Sequence, residues 1–321
     1  MLALFLVPLI ILISGLYSGI YQIFLLYIIS GFGMAGVGMG IMHDALHGSY
    51  SKNKLVNKIM GYSIFLIGGS SAVWKIQHNI LHHTYTNVDG IDDDIKVPGI
   101  LRFSPHRKRH WFHRFQHFYV WLLYGLTTII WATVKDFIKI IRYKKMGFLK
   151  KKNEVKYELL KATIWKITFN ACVFLLPVIV LDEPFWVLLL AYLSMHFITG
   201  LSLSIIFQVS HVMPTSHFPL PNSQNTFEND WTVHQLLTTT NFSPNNRILS
   251  WLIGGLNFQI EHHLLPNVSH IHYAKLSPIV AQTAKEFGLP YNIIPTFTTA
   301  VADHIKMLRI LGKADSAFVP G

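Results

Sequence analysis

Cysteine is nearly absent from these 321 residues: Cys172 stands alone. A single thiol excludes a disulfide framework, a cysteine zinc site and an iron–sulfur cluster. Charge is also scarce. Asp, Glu, Lys and Arg make up 13% of the chain, about half the usual share, against 51% hydrophobic residues and a mean hydropathy of +0.37. Such a composition rules out a disordered chain, a coiled coil and an ordinary soluble domain with a charged surface. The sequence has no low-complexity segment and no internal repeat. Residues 1 to 42 carry no charged side chain at all. They lack the basic start and the polar sequel of a signal peptide.

Long apolar runs and histidine are what the chain has in quantity. Forty-two uncharged residues are too many for one membrane span and right for two at roughly 20 residues each. The break between them is expected between Ser14 and Gly19. Further runs cover about 164–181 and 185–207, separated by the acidic loop Asp182-Glu183-Pro184. The stretches Leu55–Val73 and Tyr119–Val134 are flanked by polar or basic residues on both sides and read as interfacial or re-entrant helices. Lys139, Arg142, Lys144, Lys145, Lys150, Lys151, Lys152, Lys156 and Lys161 crowd one stretch, which the positive-inside rule places in the cytoplasm. The expectation is one all-α polytopic membrane domain over 1–321, with about four spans at 1–18, 20–42, 164–181 and 185–207. A cytosolic helical cap takes 43–160 and 208–321, with the tail after His270 as a small soluble piece. The formal charge of +11 fits a membrane surface better than nucleic acid, because the basic residues adjoin apolar runs.

Eighteen histidines are more than membrane spans need. Three groups are tight: His43 and His47 in HDALH; His78, His82 and His83 in HNILHH; Gln259, His262 and His263 in QIEHH. Residues three and four apart share a helix face, so each group converges locally. Neutral imidazole suits iron, copper and zinc. One pair four apart is most often a solvated or hydrogen-bonded histidine, but three such groups point to metal. Seven histidines exceed the four ligands of a zinc site, so two metal ions are expected. His211, at the end of the fourth run, is an eighth candidate, since an ionisable residue at a span's edge marks function. His234 is a further candidate ligand. Cys172 and His196 lie inside runs without partners at ligand spacing, and core packing accounts for them.

Two patterns look like sites and are not read as such. Gly31-Phe32-Gly33-Met34-Ala35-Gly36 matches the dinucleotide fingerprint, which works only after a strand in a βαβ unit. Here it lies in an uncharged run, where Gly36 and Gly40 have the spacing of close helix packing. His106, His110, His113 and His117 would line one helix face, but Arg102, Arg107, Lys108, Arg109 and Arg114 oppose cation binding there. That segment reads as a basic interfacial helix near anionic head groups.

With these residues in view, the set HDALHGS, HNILHHTYTN and FQIEHH resembles the three histidine boxes of the membrane fatty acid desaturases. Glutamine at the head of the third box is similar to the front-end subgroup, including linoleoyl-CoA desaturases. The likeness runs from about Phe32 to His272 and takes in Trp74, Thr86-Asn87, Asp92-Asp93-Asp94 and Gly254-Gly255-Leu256-Asn257-Phe258. It implies a non-haem di-iron centre on the cytosolic side, ligated by His43, His47, His78, His82, His83, His262 and His263, with His211 at a further ligand position. Gln259 stands where a histidine is usual, so its contact with metal would be weak or through water. Asp44 and Glu261 are candidates to accept ring N–H bonds. Many front-end relatives carry a fused cytochrome b5 domain with an HPGG motif, which this sequence lacks, so a separate electron donor such as ferredoxin or cytochrome b5 is expected. The chain begins almost inside its first run, where relatives have a polar segment, so a truncated or late start is expected.

The implied reaction is O2-dependent removal of two hydrogens from adjacent methylenes, giving a cis double bond in an acyl chain held by coenzyme A, carrier protein or phospholipid. Trp74, Trp231 and Phe258 are candidate lining for an acyl tunnel. A hydroxylase or sphingolipid desaturase shares the first hydrogen abstraction. A metal transporter would place ionisable residues along a mid-membrane path, and the runs contain almost none.

Overall fold

The computed structural model describes residues 1–313; the last residues of the expected cap lie outside it. The chain divides into two compact units, Met1–Ile76 with Leu122–Ser204, and Gln77–Trp121 with Ile205–Gly321.

The first unit opens with an apolar hairpin of α1 (Leu2–Ile13) and α2 (Ile20–His47). Phe5, Leu9 and Leu12 pack against Ile23, Tyr27 and Met34 in the core. Approach is close because a Cβ on Gly33 would lie 2.3 Å from the Phe5 backbone nitrogen, and one on Gly31 would lie 2.7 Å from the Met195 carbonyl oxygen. The fingerprint-like glycines are therefore helix-contact positions, as their surroundings predict. The Ser30 hydroxyl donates to the Phe5 carbonyl at 2.9 Å, and Tyr27 to that of Val173 at 2.8 Å.

Next come α3 (Lys54–Leu66) and α4 (Ser71–His82), bent by 107° at their break, then α5 (Trp111–Lys145), α6 (Asn153–Val180) and α7 (Phe185–His211). Among the described residues, four helices, α2, α5, α6 and α7, are long and apolar enough to cross a membrane. This differs from the expected runs in two places. α1 has 12 residues, ~18 Å of rise against a hydrocarbon core of ~30 Å, because the turn at Ser14 ends it early. α5 has 35 residues because polar turns at both ends continue the apolar stretch 119–134 as one helix.

One buried ion pair ties three elements of this unit. Lys166 Nζ on α6 lies 2.8 Å from Asp136 Oδ2 on α5 and donates to the Gly68 carbonyl at 2.9 Å, in the break between α3 and α4. It also donates to the Trp131 carbonyl. Gly68 has φ +76°, and its missing Cβ leaves room for Ala132 and Phe169.

The second unit contains the end of α4, the start of α5, the end of α7, and α8 (Trp231–Thr238), α9 (Arg247–Leu252), α10 (Gln259–Leu264), α11 (Tyr273–Glu286) and α12 (Phe297–Gly312). A two-residue parallel pairing of β1 (Asn241–Phe242) with β2 (Ile293–Ile294) is the sheet among the described residues. The tail packs into this unit. His304 Nδ1–H donates to the Val212 carbonyl at 2.9 Å, Gln116 Nε2 to that of Leu308 at 2.8 Å, and buried Arg102 to that of Leu311 at 2.8 Å.

Candidate metal centre

In the second unit, His82 at the end of α4, His211 at the end of α7 and His263 on α10 converge. Their ligand nitrogens lie within 4.8 Å of one another, and all three side chains are buried. Ring centroids are 4.7 Å apart for His82–His211, 4.9 Å for His82–His263 and 4.8 Å for His211–His263. The far nitrogen of each ring is committed. His82 Nδ1–H donates to both carboxylate oxygens of Asp92 at 3.1 Å, and His211 Nδ1–H to the Thr238 carbonyl at 3.3 Å. His263 Nδ1 lies 2.9 Å from Gln235 Oε1. A proton on Nδ1 leaves the lone pair on Nε2. All three Nε2 atoms are buried without a hydrogen-bond partner. An unsatisfied buried acceptor costs about 1–3 kcal/mol, and three facing one another are what a cation relieves. Three imidazoles oriented by outer partners fit a transition-metal ion. Burial and the neighbouring imidazoles of His83 and His211 hold His263 well below the ordinary histidine range, in its neutral form.

A second group overlaps the first. His83, His262 and His263 also offer ligand atoms within 4.8 Å of one another. His83 Nε2 lies 3.2 Å from His78 Nε2, and His78 Nδ1–H donates to Asp94 at 3.0 Å. His262 Nδ1 is 3.3 Å from the Tyr273 hydroxyl. His78 and His82 lie on a π-helical stretch, Lys75–His82. Its i to i+5 period aligns His78 with His83 as well as with His82, which α-helical spacing alone does not predict.

The first unit holds His43 and His47 on the last turn of α2, with ring centroids 4.8 Å apart. The Trp74 ring stands edge-on to both, at 5.6 and 5.4 Å. Asp44 is buried beside them, 3.8 Å from His43 Nδ1. Gly48, at φ +78°, ends the helix so that both rings fall in its final turn.

The remaining candidates take other places. His234 is buried, and its Nε2–H donates to the Thr86 carbonyl at 2.8 Å; burial lowers its pKa. Glu261 accepts from Asn241 Nδ2 at 2.8 Å and from the Tyr291 hydroxyl, with no ring N–H among these contacts. Burial raises its pKa against the pull of those two hydrogen bonds. Gln259 is buried at the start of α10, its Nε2 without a partner. Trp231 Nε1–H donates to the His83 carbonyl at 2.8 Å while the side chain is 42% exposed, so it braces the second box from outside. Phe258 is buried at the cap of α10. The row His106, His110, His113, His117 does not form one stripe, because the helix starts at Trp111. His106 Nε2–H donates to the Phe218 carbonyl at 2.6 Å and His113 Nε2–H to that of Gly99 at 2.9 Å.

Sequence reasoning had the histidines but not what orients them. Asp92 and Asp94 were visible as an acidic triplet after the second box, without a role. Thr86 was visible only as part of the motif context, and Gln235 and Thr238 carried no signal. Asn87, at φ +61°, donates its N–H to Asp92 Oδ2 at 2.9 Å and its Nδ2–H to the His211 carbonyl at 2.8 Å, tying the second box to the end of α7.

Comparison with known proteins adds an independent finding. Residues 18–295 match the family model described as fatty acid desaturase. The sn-1 linoleoyl-lipid 6-desaturase of Arthrospira platensis is 36% identical over 284 residues, covering 88% of this chain and 76% of that protein. The acyl-lipid (8-3)-desaturase of Physcomitrium patens is 38% identical over 287 residues, covering 88% of this chain and 59% of that protein. The Delta(5) fatty acid desaturase A of Dictyostelium discoideum is 34% identical over 282 residues, covering 85% and 60%.

Proposed function

This chain belongs to the fatty acid desaturase family, and from that premise we propose that it is an O2-dependent acyl desaturase of the front-end type. It inserts a cis double bond into a lipid-linked acyl chain, with electrons from a donor protein. The observation that carries the metal reading is the trio of buried Nε2 atoms on His82, His211 and His263, each aimed by a partner on the opposite ring nitrogen. We assign His43, His47, His78, His82, His83, His211, His262 and His263 as ligands of two irons. Bound iron supplies the oxidising power to break an unactivated C–H bond, which no side chain has.

The chain's own residues do the rest. Asp92 and Thr238 fix the ring orientation of His82 and His211 and keep the proton off the metal-facing nitrogen. His82, His211 and His263 have at most 3% of their surface exposed, which keeps water from the reacting centre. An all-imidazole set leaves the centre more cationic than carboxylates would.

We infer sidedness from connectivity. The end of α4 and the end of α7 lie at one depth, because His82 and His211 adjoin. Between them run α5, α6 and α7, and an odd number of crossings would separate those ends. We take α5 as the helix that lies along the surface, which leaves two crossings between those ends. It has Arg114 at its start and Lys139, Arg142, Lys144 and Lys145 at its end. It meets α7 through Thr128 Oγ1–H to the His196 carbonyl at 2.7 Å and Thr127 beside Ser204 at 3.2 Å. With α6 and α7 crossing, Asp182 and Glu183 face outward and the histidines face the cytoplasm.

The deciding experiment is expression of the chain in a host whose fatty acids are then profiled by mass spectrometry, with iron measured per purified chain. New unsaturation and two irons per chain are expected. A hydroxylated product would move the assignment to the hydroxylases, and labile binding of several metals would sink it.

A further inference from the structure

Gln235 belongs to none of the histidine groups, yet its side chain decides what one of them can do. It sits on α8, fully buried, as are Thr86 and His263. Its Oε1 lies 2.9 Å from His263 Nδ1 and 2.8 Å from Thr86 Oγ1. Thr86 Oγ1 is also 2.7 Å from the His82 carbonyl oxygen and 3.3 Å from His263 Nδ1.

Two hydrogen-bond wirings satisfy these distances. In one, the carboxamide oxygen accepts from His263 Nδ1–H and shares the single Thr86 hydroxyl proton with the His82 carbonyl. His263 Nε2 then keeps its lone pair. In the other, the amide is turned over, so that its NH2 donates to Thr86 Oγ1 and to His263 Nδ1 while Thr86 donates to the His82 carbonyl. That moves the ring proton of His263 to Nε2, where it points at His82 and His211. Only the first wiring lets His263 bind a cation, and it leaves the Gln235 amide nitrogen buried without a partner.

We propose that Gln235 is a positioning residue that selects the Nδ1–H tautomer of His263 and so sets the metal affinity and ligand field of the His82–His211–His263 group. Thr86 is its second anchor. The inference rests on the metal-centre reading above.

The test uses the full chain in lipid nanodiscs as wild type, Gln235→Glu, Gln235→Leu and Thr86→Val. Iron per chain, the rate of iron loss to a chelator and the visible absorption of the Co(II)-loaded protein are measured. A carboxylate accepts only, so Gln235→Glu should retain metal and shift the Co(II) bands. Gln235→Leu removes the acceptor and should lose iron about 10–100-fold faster, with Thr86→Val between the two. Iron loss from Gln235→Leu at the wild-type rate would overturn the proposal. So would Gln235→Glu with unshifted bands, which stands as the test if Gln235→Leu fails to fold. A wild type that binds neither iron nor Co(II) would bring down the metal-centre reading itself, a result distinct from either.

Discussion

Asp92 grips His82 with both carboxylate oxygens, each 3.1 Å from Nδ1, ten residues further along the chain. The same carboxylate accepts the backbone N–H groups of Asn87 at 2.9 Å and Asp94 at 2.8 Å. A charged acceptor with four contacts is a rigid support, and it polarises the ring it holds. Asp92→Asn keeps the shape and removes the charge. Metal affinity should fall about 10–100-fold, read as iron per chain after dialysis against chelator. Unchanged retention would show that the pair only shapes the loop.

His82 and His113 should separate cleanly. His82→Ala removes a metal-facing nitrogen and should abolish new unsaturation while membrane insertion is intact. His113 donates to Gly99 and accepts from the His110 N–H at 2.9 Å, a local brace at the head of α5. His113→Ala should lower thermal stability and leave iron content unchanged. Loss of iron there would mean that the basic segment reaches the centre.

The proposed surface placement of α5 predicts an equal result from the two flanks of that helix. In a Cys172→Ser background, single cysteines at Lys108 and Lys145 should both react with an impermeant maleimide from the same face of sealed vesicles. Labelling from opposite faces would make α5 a true span and shift the parity problem to α6 or α7.

Lys166 and Asp136 form a buried ion pair, 7% and 0% exposed. Lys166→Met leaves the carboxylate buried and uncompensated and releases the Gly68 carbonyl. The expected loss is ~3–5 kcal/mol, seen as a lower Tm in detergent. Lys166→Met with Asp136→Leu should recover much of it, because an apolar pair avoids the desolvation that the ions suffer. A double variant as unstable as the single one would place the stabilisation in the Gly68 bond instead.

His304 supplies a pH dependence. Burial pushes its pKa down to about 4, against a partial rise from the bond to the Val212 carbonyl. The folded protein therefore resists a proton that the unfolded chain accepts near 6.5. The stabilisation is whole above pH 6.5 and fades as pH falls towards 4, by ~3 kcal/mol at most. Unfolding midpoints of wild type and His304→Gln, followed from pH 7 to 4, should converge as the pH drops. Parallel curves would remove His304 as the cause.

Much of the site was legible from spacing, because four-residue separations on a helix bring rings together whatever the rest of the chain does. His43 with His47 and His78 with His82 are of that kind. The pairing of His78 with His83 was not, since it depends on a π stretch whose hydrogen bonds are invisible in residue order. Glu261 was a candidate for ring contacts by its place in the sequence, and its oxygens accept from Asn241 and Tyr291, which arrive from elsewhere in the fold. The histidine row 106–117 had the spacing of a stripe and lost it where the helix began late.

Composition and local period by themselves determined that the chain is helical and membrane-bound and that three short segments carry imidazoles in pairs. These are properties of a residue and its near neighbours: apolar side chains leave water, and a helix turns at a fixed rate. Tertiary structure alone decided which nitrogen of each ring is free. That choice belongs to the partner on the other nitrogen, and those partners come from 10 residues away for Asp92 and His82, 27 for Thr238 and His211, and 28 for Gln235 and His263. Residue order cannot state a hydrogen bond across such gaps, because it forms only once the backbone between them has folded.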